Sequence, residues 1–138
     1  MRRVGTVGVV LVTAFLLLPV AAASARITYT SPDCQHLRIR PRKIIFACAD
    51  GAYYVNHLSW QSWHPGRARG LGLFHQNDCR PNCADGSFHE RRGRLVLRKR
   101  TWCSGPRKYV FRRAHVNYDG RLLGQRRTAF RLLLPPRC

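Results

Sequence analysis

Six cysteines constrain this chain more than any other feature. Cys34, Cys48, Cys79, Cys83, Cys103 and Cys138 are even in number, and all lie downstream of an apolar leader. In an oxidising compartment they read as a framework of up to three disulfides, which lets a short chain fold around a modest core. The sequence does not choose among the pairings. It does express two preferences. Cys79 and Cys83 flank Arg80-Pro81-Asn82, a turn-forming stretch, so a local bridge is sterically easy. Cys34 and Cys138 lie near the ends of residues 26–138, and a bridge from either into the core closes a long loop, stabilising by about 3–5 kcal/mol. Zinc would need a second close pair besides Cys79-x3-Cys83, and none follows. No metal or cofactor is expected.

The leader has the three parts of a signal peptide: Arg2 and Arg3, then Val4 to Val20 without a charge, then Ala23-Ser24-Ala25 with small residues where signal peptidase needs them. Cleavage after Ala25 is expected. The apolar run is near the lower limit for a membrane span, and Pro19 interrupts it. No cysteine stands near the cut to take a lipid, and the residues around Arg2-Arg3 do not make a twin-arginine signal. The chain is therefore expected to be secreted, extracellular or associated with the cell envelope. Its domains are expected to be a signal peptide over 1–25, an irregular basic segment over 26–42, and a single β-rich domain over 43–138.

Charge is the second constraint. The whole chain carries +19, and Arg2 and Arg3 supply two of those charges, leaving +17 on residues 26–138. Those residues hold 20 Arg and 3 Lys against 6 acidic groups. Such a field attracts polyanions: cell-wall polymers, lipid headgroups or nucleic acid. Coding bias in a GC-rich genome explains arginine in place of lysine, but not the scarcity of Asp and Glu. The basic clusters are Arg91-Arg92, Arg98-Lys99-Arg100, Arg107-Lys108, Arg112-Arg113 and Arg126-Arg127. They are either a face for polyanions or solvated strand faces whose charge guards sheet edges.

Period-two patterning predicts an all-β fold, a small disulfide-stapled antiparallel sandwich or barrel. Strands are expected at Ile44–Cys48 and Ala52–Trp60, joined as a hairpin through Asp50-Gly51. Trp63-His64-Pro65-Gly66 reads as a turn. Arg67–Phe74 alternates Ala68, Gly70 and Gly72 with Arg69, Leu71 and Leu73. Three tiny residues on one face call for something bulky over them, with Trp60 or Trp63 as candidates. His75–Gly86 reads as a loop. Further strands are expected at Arg94–Trp102, Lys108–Val116 and Thr128–Leu134, punctuated by Gly105-Pro106 and Asp119-Gly120. Cys48-Ala49-Asp50-Gly51-Ala52-Tyr53 is echoed by Cys83-Ala84-Asp85-Gly86-Ser87-Phe88. Each copy is expected to turn at Asp-Gly and drop its aromatic into the core.

Pro41, Ile45, Ala47-Cys48-Ala49-Asp50-Gly51, Leu58-Ser59-Trp60, Trp63, Ala68, Gly70, Gly72, Asn77-Asp78-Cys79, Pro81, Cys83-Ala84, Gly86 and Phe88 together resemble a group of small secreted proteins of actinomycetes. The resemblance covers about residues 41 to 97. It implies location and kinship of fold, and no chemistry. Cys34, Cys103, Cys138 and the basic tail from Arg98 fall outside its pattern.

Catalytic motifs are sparse. There is no Gly-x-Ser-x-Gly elbow and no His-Glu-x-x-His zinc helix. His89-Glu90 is the one pair that would suit a secreted nuclease, a Glu base beside a His acid. Neighbours on a strand point to opposite faces, so the two are not expected to converge. Asn77 and Asp78 are expected to cap the loop backbone through their side chains rather than to bind calcium. Trp60 and Trp63 are expected in the core rather than on a sugar platform. Charge therefore favours a non-enzymatic basic domain for anionic polymers. The alternatives are a hydrolase or a structural envelope component with no specific ligand.

Intact-mass analysis of the exported protein should give a chain beginning at Arg26. A mass near 15.9 kDa would mean that the leader is retained.

Overall fold

A computed structural model describes residues 26–138; the expected signal peptide lies outside the described residues. The apolar/basic alternation folds as strands. They are β1 (Thr28–Tyr29), β2 (Ile44–Ile45), β3 (Tyr53–His64), β4 (Arg67–Asn77), β5 (Phe88–Cys103), β6 (Lys108–Leu122) and β7 (Gln125–Arg131). They form one sheet in the order β2-β3-β4-β5-β6. The outer edge of β6 is shared: β1 pairs with Tyr109 and Val110, and β7 pairs with Arg113 to Asn117 and with Leu122. Every pairing is antiparallel except β1 with β6, which is parallel.

Contacts between the two ends of the strand order show that the sheet curls into a half-barrel. Phe46, just past β2, stacks on Phe130 of β7 with ring centroids 5.1 Å apart. Tyr53 of β3 lies 4.8 Å from the same ring. Trp63 of β3 meets Phe111 of β6 edge-on at 5.7 Å, and its indole N–H donates to the Thr28 carbonyl at 2.8 Å. Phe74, Phe111, Leu95, Leu97 and Val55 are fully buried inside the curl. The Tyr53 and Tyr118 hydroxyls hydrogen-bond to each other within it. That pairing satisfies two polar groups that burial would otherwise penalise.

Two bulges shape β3. Register shifts fall between Asn56 and Ser59 and between Trp60 and Ser62. Each extra residue resets the two-residue period, so Val55, Leu58, Trp60 and Trp63 can all join the core although they are not evenly spaced. At the first bulge His57 takes φ +52° and the Leu58 N–H donates to the Arg42 carbonyl at 3.0 Å. Facing β3 is the small-residue stripe of β4. A Cβ on Gly70 would stand 3.0 Å from the Trp60 ring, and one on Gly72 would stand 2.7 Å from the Val55 side chain. The expectation that a tryptophan covers this stripe holds, with Trp60 in that place.

The disulfides are Cys34–Cys48, Cys79–Cys83 and Cys103–Cys138. The local bridge and the bridge from Cys138 into the buried Cys103 match the two preferences. Loops of 14 and 35 residues are closed by Cys34–Cys48 and Cys103–Cys138. Chain entropy makes these bridges worth about 3 and about 4 kcal/mol. Residues 26–42 carry little regular structure but are tied to the sheet. Trp60 donates to the Pro41 carbonyl at 2.8 Å, Ile45 to the Pro32 carbonyl at 2.8 Å, and Thr30 exchanges two hydrogen bonds with Arg38.

Several boundaries differ from the sequence expectation. The turn after β3 is only Pro65-Gly66. His75 to Asn77 continue β4, because Phe88 to Glu90 extend β5 backwards to pair with them. Asp119-Gly120 does not end β6; it lies within the irregular stretch between Asn117 and Leu122, and the chain reverses at Leu123-Gly124. Phe88 does not enter the core. It is 49% exposed, because the first residues of β5 run past the core, and it leans on Tyr54 at 5.8 Å. Its counterpart Tyr53 is buried.

Gly93 faces the centre of the curl, where a Cβ would meet the Asn117 carbonyl oxygen at 2.7 Å and Phe74 at 3.2 Å. Gly93→Ala should therefore destabilise by about 1–3 kcal/mol. Gly66→Ala, which meets nothing within 4 Å, should leave a thermal melt nearly unchanged.

Candidate functional site

The sheet register assembles a basic surface that adjacent positions in the sequence do not reveal. On the outward face of β4 to β7, Arg67, Arg98, Arg113 and Arg131 lie opposite one another in a single row. The next row is Arg69, Val96, His115 and Ala129, and the third is Leu71, Arg94, Asn117 and Arg127. Seven of these twelve positions are arginine and none is acidic. Neighbouring strands lie about 4.8 Å apart and alternate residues about 7 Å apart, so the patch is roughly 15 Å across.

Arg67, Arg69, Arg94, Arg98 and Arg127 line an open groove of about 660 Å³. Val96, His115 and Ala129 lie between the two arginine-rich rows and share its lining. Short side chains there, and the long ones in the flanking rows, produce the depression. Val96 is only 6% exposed although its neighbours Leu95 and Leu97 occupy the inner face, because the arginines wall it in.

Among the described residues no carboxylate lies within ion-pair distance of these arginines. Among the described residues the ion pairs are Asp33 with His36 at 2.7 Å, Glu90 with His75 at 2.9 Å and Asp78 with His89 at 3.0 Å. Each carboxylate partner is a histidine and none is an arginine or lysine. The Arg67 Nε is buried with no protein acceptor. That burial, with the like charges of Arg69 and Arg98, pulls the Arg67 guanidinium down from its usual range.

Of the basic residues singled out in the sequence, Arg98, Arg113 and Arg127 belong to this face. The others lie outside these three rows. The Arg91 Nε donates to the Arg121 carbonyl at 3.2 Å. Arg92 is on the same outward side of β5, two residues before Arg94, but it stands beyond the third row, opposite Leu73, and lines a separate cleft with His57, Ser59 and Asp119. Arg100 covers the Tyr109 ring and Lys108 the Tyr29 ring, with Arg107 nearby. Arg112 lines a hollow beside the C-terminus, and Lys99 and Arg126 are exposed on their strands. The clusters therefore do not form one face. Adjacent residues of a strand point to opposite sides, so a dipeptide such as Arg91-Arg92 divides its charge. The informative signal was i, i+2 spacing: Arg67 with Arg69, and Arg94 with Arg98 at i, i+4.

His89 and Glu90 are likewise separated. His89 Nε2 is 3.0 Å from Asp78 Oδ2. Glu90 meets His75 Nδ1, whose Nε2 lies 3.0 Å from Asn56 Oδ1. Asn77 and Asp78 cap the loop before β5, as their type and position imply. Asn77 Oδ1 accepts from the Cys79 N–H at 2.8 Å, and Asp78 Oδ1 accepts from the Arg80 and Ser87 N–H groups at 3.1 and 3.0 Å. No known protein family, curated protein or solved structure matches the chain.

The hydrogen bond from His89, with those from Ser87 and Arg80, holds the Asp78 carboxyl down at about 2. A depressed carboxylate pKa stabilises the fold at pH above its unfolded value near 3.8 and loses that effect as pH falls through about 2. The Arg80 and Ser87 amide resonances should therefore titrate with a midpoint near 2. In Asp78→Asn that titration should disappear.

Proposed function

We propose that residues 26–138 are an exported, non-enzymatic domain that binds anionic polymers, and that the arginine groove is its contact surface. The observation that carries this is the row Arg67, Arg98, Arg113 and Arg131. Like charges directly opposite on a sheet repel, and natural sheets place opposite charges there. Here four arginines occupy directly paired positions with no carboxylate among them, and two of them, Arg67 and Arg98, line the groove. A ligand carrying repeated phosphate, sulfate or carboxylate groups relieves that repulsion and satisfies the guanidinium donors in pairs.

The groove's chemistry is that of binding. Guanidinium groups remain charged and donate hydrogen bonds, but they do not serve as general acids or bases near neutral pH. A hydrolase working through His89 and Glu90 has less support, since each side chain engages a different partner. The leader supports export to a compartment where wall polymers and other extracellular polyanions are within reach.

Binding to polyphosphate or duplex DNA should weaken steeply with salt, with a slope of log K against log salt of about −4 to −6 for contacts by most of the seven arginines. Arg98 stands between Arg67 and Arg113. Arg98→Gln should lower that slope by about one and weaken binding. It should also raise folding stability by about 0.2–1 kcal/mol, because repulsion is removed. Arg40→Gln, on the exposed N-terminal segment, should change neither. An Arg98→Gln protein that binds like the parent would refute the groove as the contact surface.

A further inference from the structure

A second basic surface lies at the other end of β5 and β6, around the turn that joins them, and its composition differs from that of the groove. Arg26, Ile27, Tyr29, Trp102, Arg107, Lys108 and Tyr109 line an open depression of about 690 Å³. Two of its large apolar side chains protrude: Ile27 is 55% exposed and Trp102 is 46% exposed. The charged residues that line it, Arg26, Arg107 and Lys108, are all cations. The Arg100 guanidinium sits 4.4 Å from the Tyr109 ring centre, and the Lys108 ammonium 4.3 Å from that of Tyr29. Trp102 meets Tyr109 edge-on at 5.0 Å. Each cation thus covers one face of a tyrosine ring, which leaves less of the rings free to stack on bases. What this surface offers outward is charge together with a tryptophan and an isoleucine.

Chain connectivity adds a second observation. Arg26 belongs to this surface and directly follows Ala23-Ser24-Ala25 and the uncharged stretch Val4 to Val20. Were that stretch held in a membrane, chain connectivity would keep Arg26, and so this surface, close to the headgroups. Cleavage after Ala25 would add an α-ammonium group at the same place.

We infer that this aromatic and basic surface docks on anionic phospholipid headgroups, with Ile27 and Trp102 entering the interface and Arg26, Arg100, Arg107 and Lys108 neutralising lipid charge. Tryptophan favours the headgroup level, where its ring is apolar and its N–H stays wet. Cations near an anionic leaflet contribute about 1 kcal/mol each. The inference goes beyond the groove and involves none of its residues.

The experiment is sedimentation of the exported protein with vesicles of phosphatidylglycerol and phosphatidylcholine, read together with tryptophan emission. The expected result is binding with a blue shift, and weak binding to vesicles of phosphatidylcholine alone. Arg107→Gln and Lys108→Gln should each weaken binding about fivefold. Trp102→Phe should retain the fold and abolish the blue shift, because Trp60 and Trp63 are packed against the core. Arg98→Gln should lose affinity for polyphosphate and keep the blue shift, which separates this surface from the groove. The inference is overturned by unshifted emission on anionic vesicles, by a blue shift that survives in Trp102→Phe, or by equal binding to both vesicle types. Tighter binding of an oligothymidylate that quenches Trp102 would overturn it in favour of single-stranded nucleic acid.

Discussion

The fold depends on one steric constraint: a single sheet must cover its own inner face. The described residues provide no helix or second sheet to do so. Coverage comes from curling, and curling requires a path where side chains are nearly absent. Gly70, Gly72 and Gly93 provide that path on β4 and β5, and Trp60, Val55, Leu58 and Phe74 occupy the space. The β3 bulges bend that strand over the stripe and turn Leu58 and Trp63 inward. Once curled, the sheet brings Phe46 and Tyr53 onto Phe130, so the two ends of the strand order close on a shared aromatic cluster.

The outer face follows from the inner one. Once alternate residues are committed to the core, the intervening ones must face outward, and on β4 to β7 these are largely arginines. None of the six carboxylates lies in these rows: Asp33, Glu90 and Asp78 are engaged with His36, His75 and His89, and Asp50, Asp85 and Asp119 lie elsewhere. The basic face is therefore electrostatically unrelieved within the fold, while the inner face is packed without charge. A sheet with this division of labour is well suited to hold a polyanion on one side without disturbing the core on the other.

The disulfides act where the sheet is weakest. Cys34–Cys48 pins the segment before β2, Cys79–Cys83 closes the loop that Asn77 and Asp78 cap, and Cys103–Cys138 fastens the C-terminus to the end of β5. The loop closed by Cys79–Cys83 and the C-terminus contribute little to the aromatic core, so cross-links and side-chain hydrogen bonds replace packing there, whereas Phe46, inside the Cys34–Cys48 loop, belongs to that core. The repeated Cys-Ala-Asp-Gly motif is put to different use in its two copies. After Gly51, which takes φ +67°, the chain delivers Tyr53 into the core. After Gly86, which has no room for a side chain against Asn77, it leads into an exposed strand beginning at Phe88.

Much of the architecture was legible because its causes are local. Two-residue alternation marked the strands, Asp50-Gly51 marked the hairpin, and Ala68, Gly70 and Gly72 marked a face needing a bulky cover. The extensions of β4 and β5 through His75–Asn77 and Phe88–Glu90 were not legible, because each is held by the other strand rather than by its own composition. Nor were the bulges, which interrupt the period without a residue type that announces them. The basic site shows the same limit most clearly. Charge and its scarcity of partners can be counted along the chain, and they point to an anionic ligand class. Which arginines act together cannot be counted, because Arg67, Arg98, Arg113 and Arg131 become neighbours only through hydrogen bonding between strands. The sequence by itself determined what kinds of side chain face outward; tertiary pairing decided their register, and register is what turns separated positive charges into one surface.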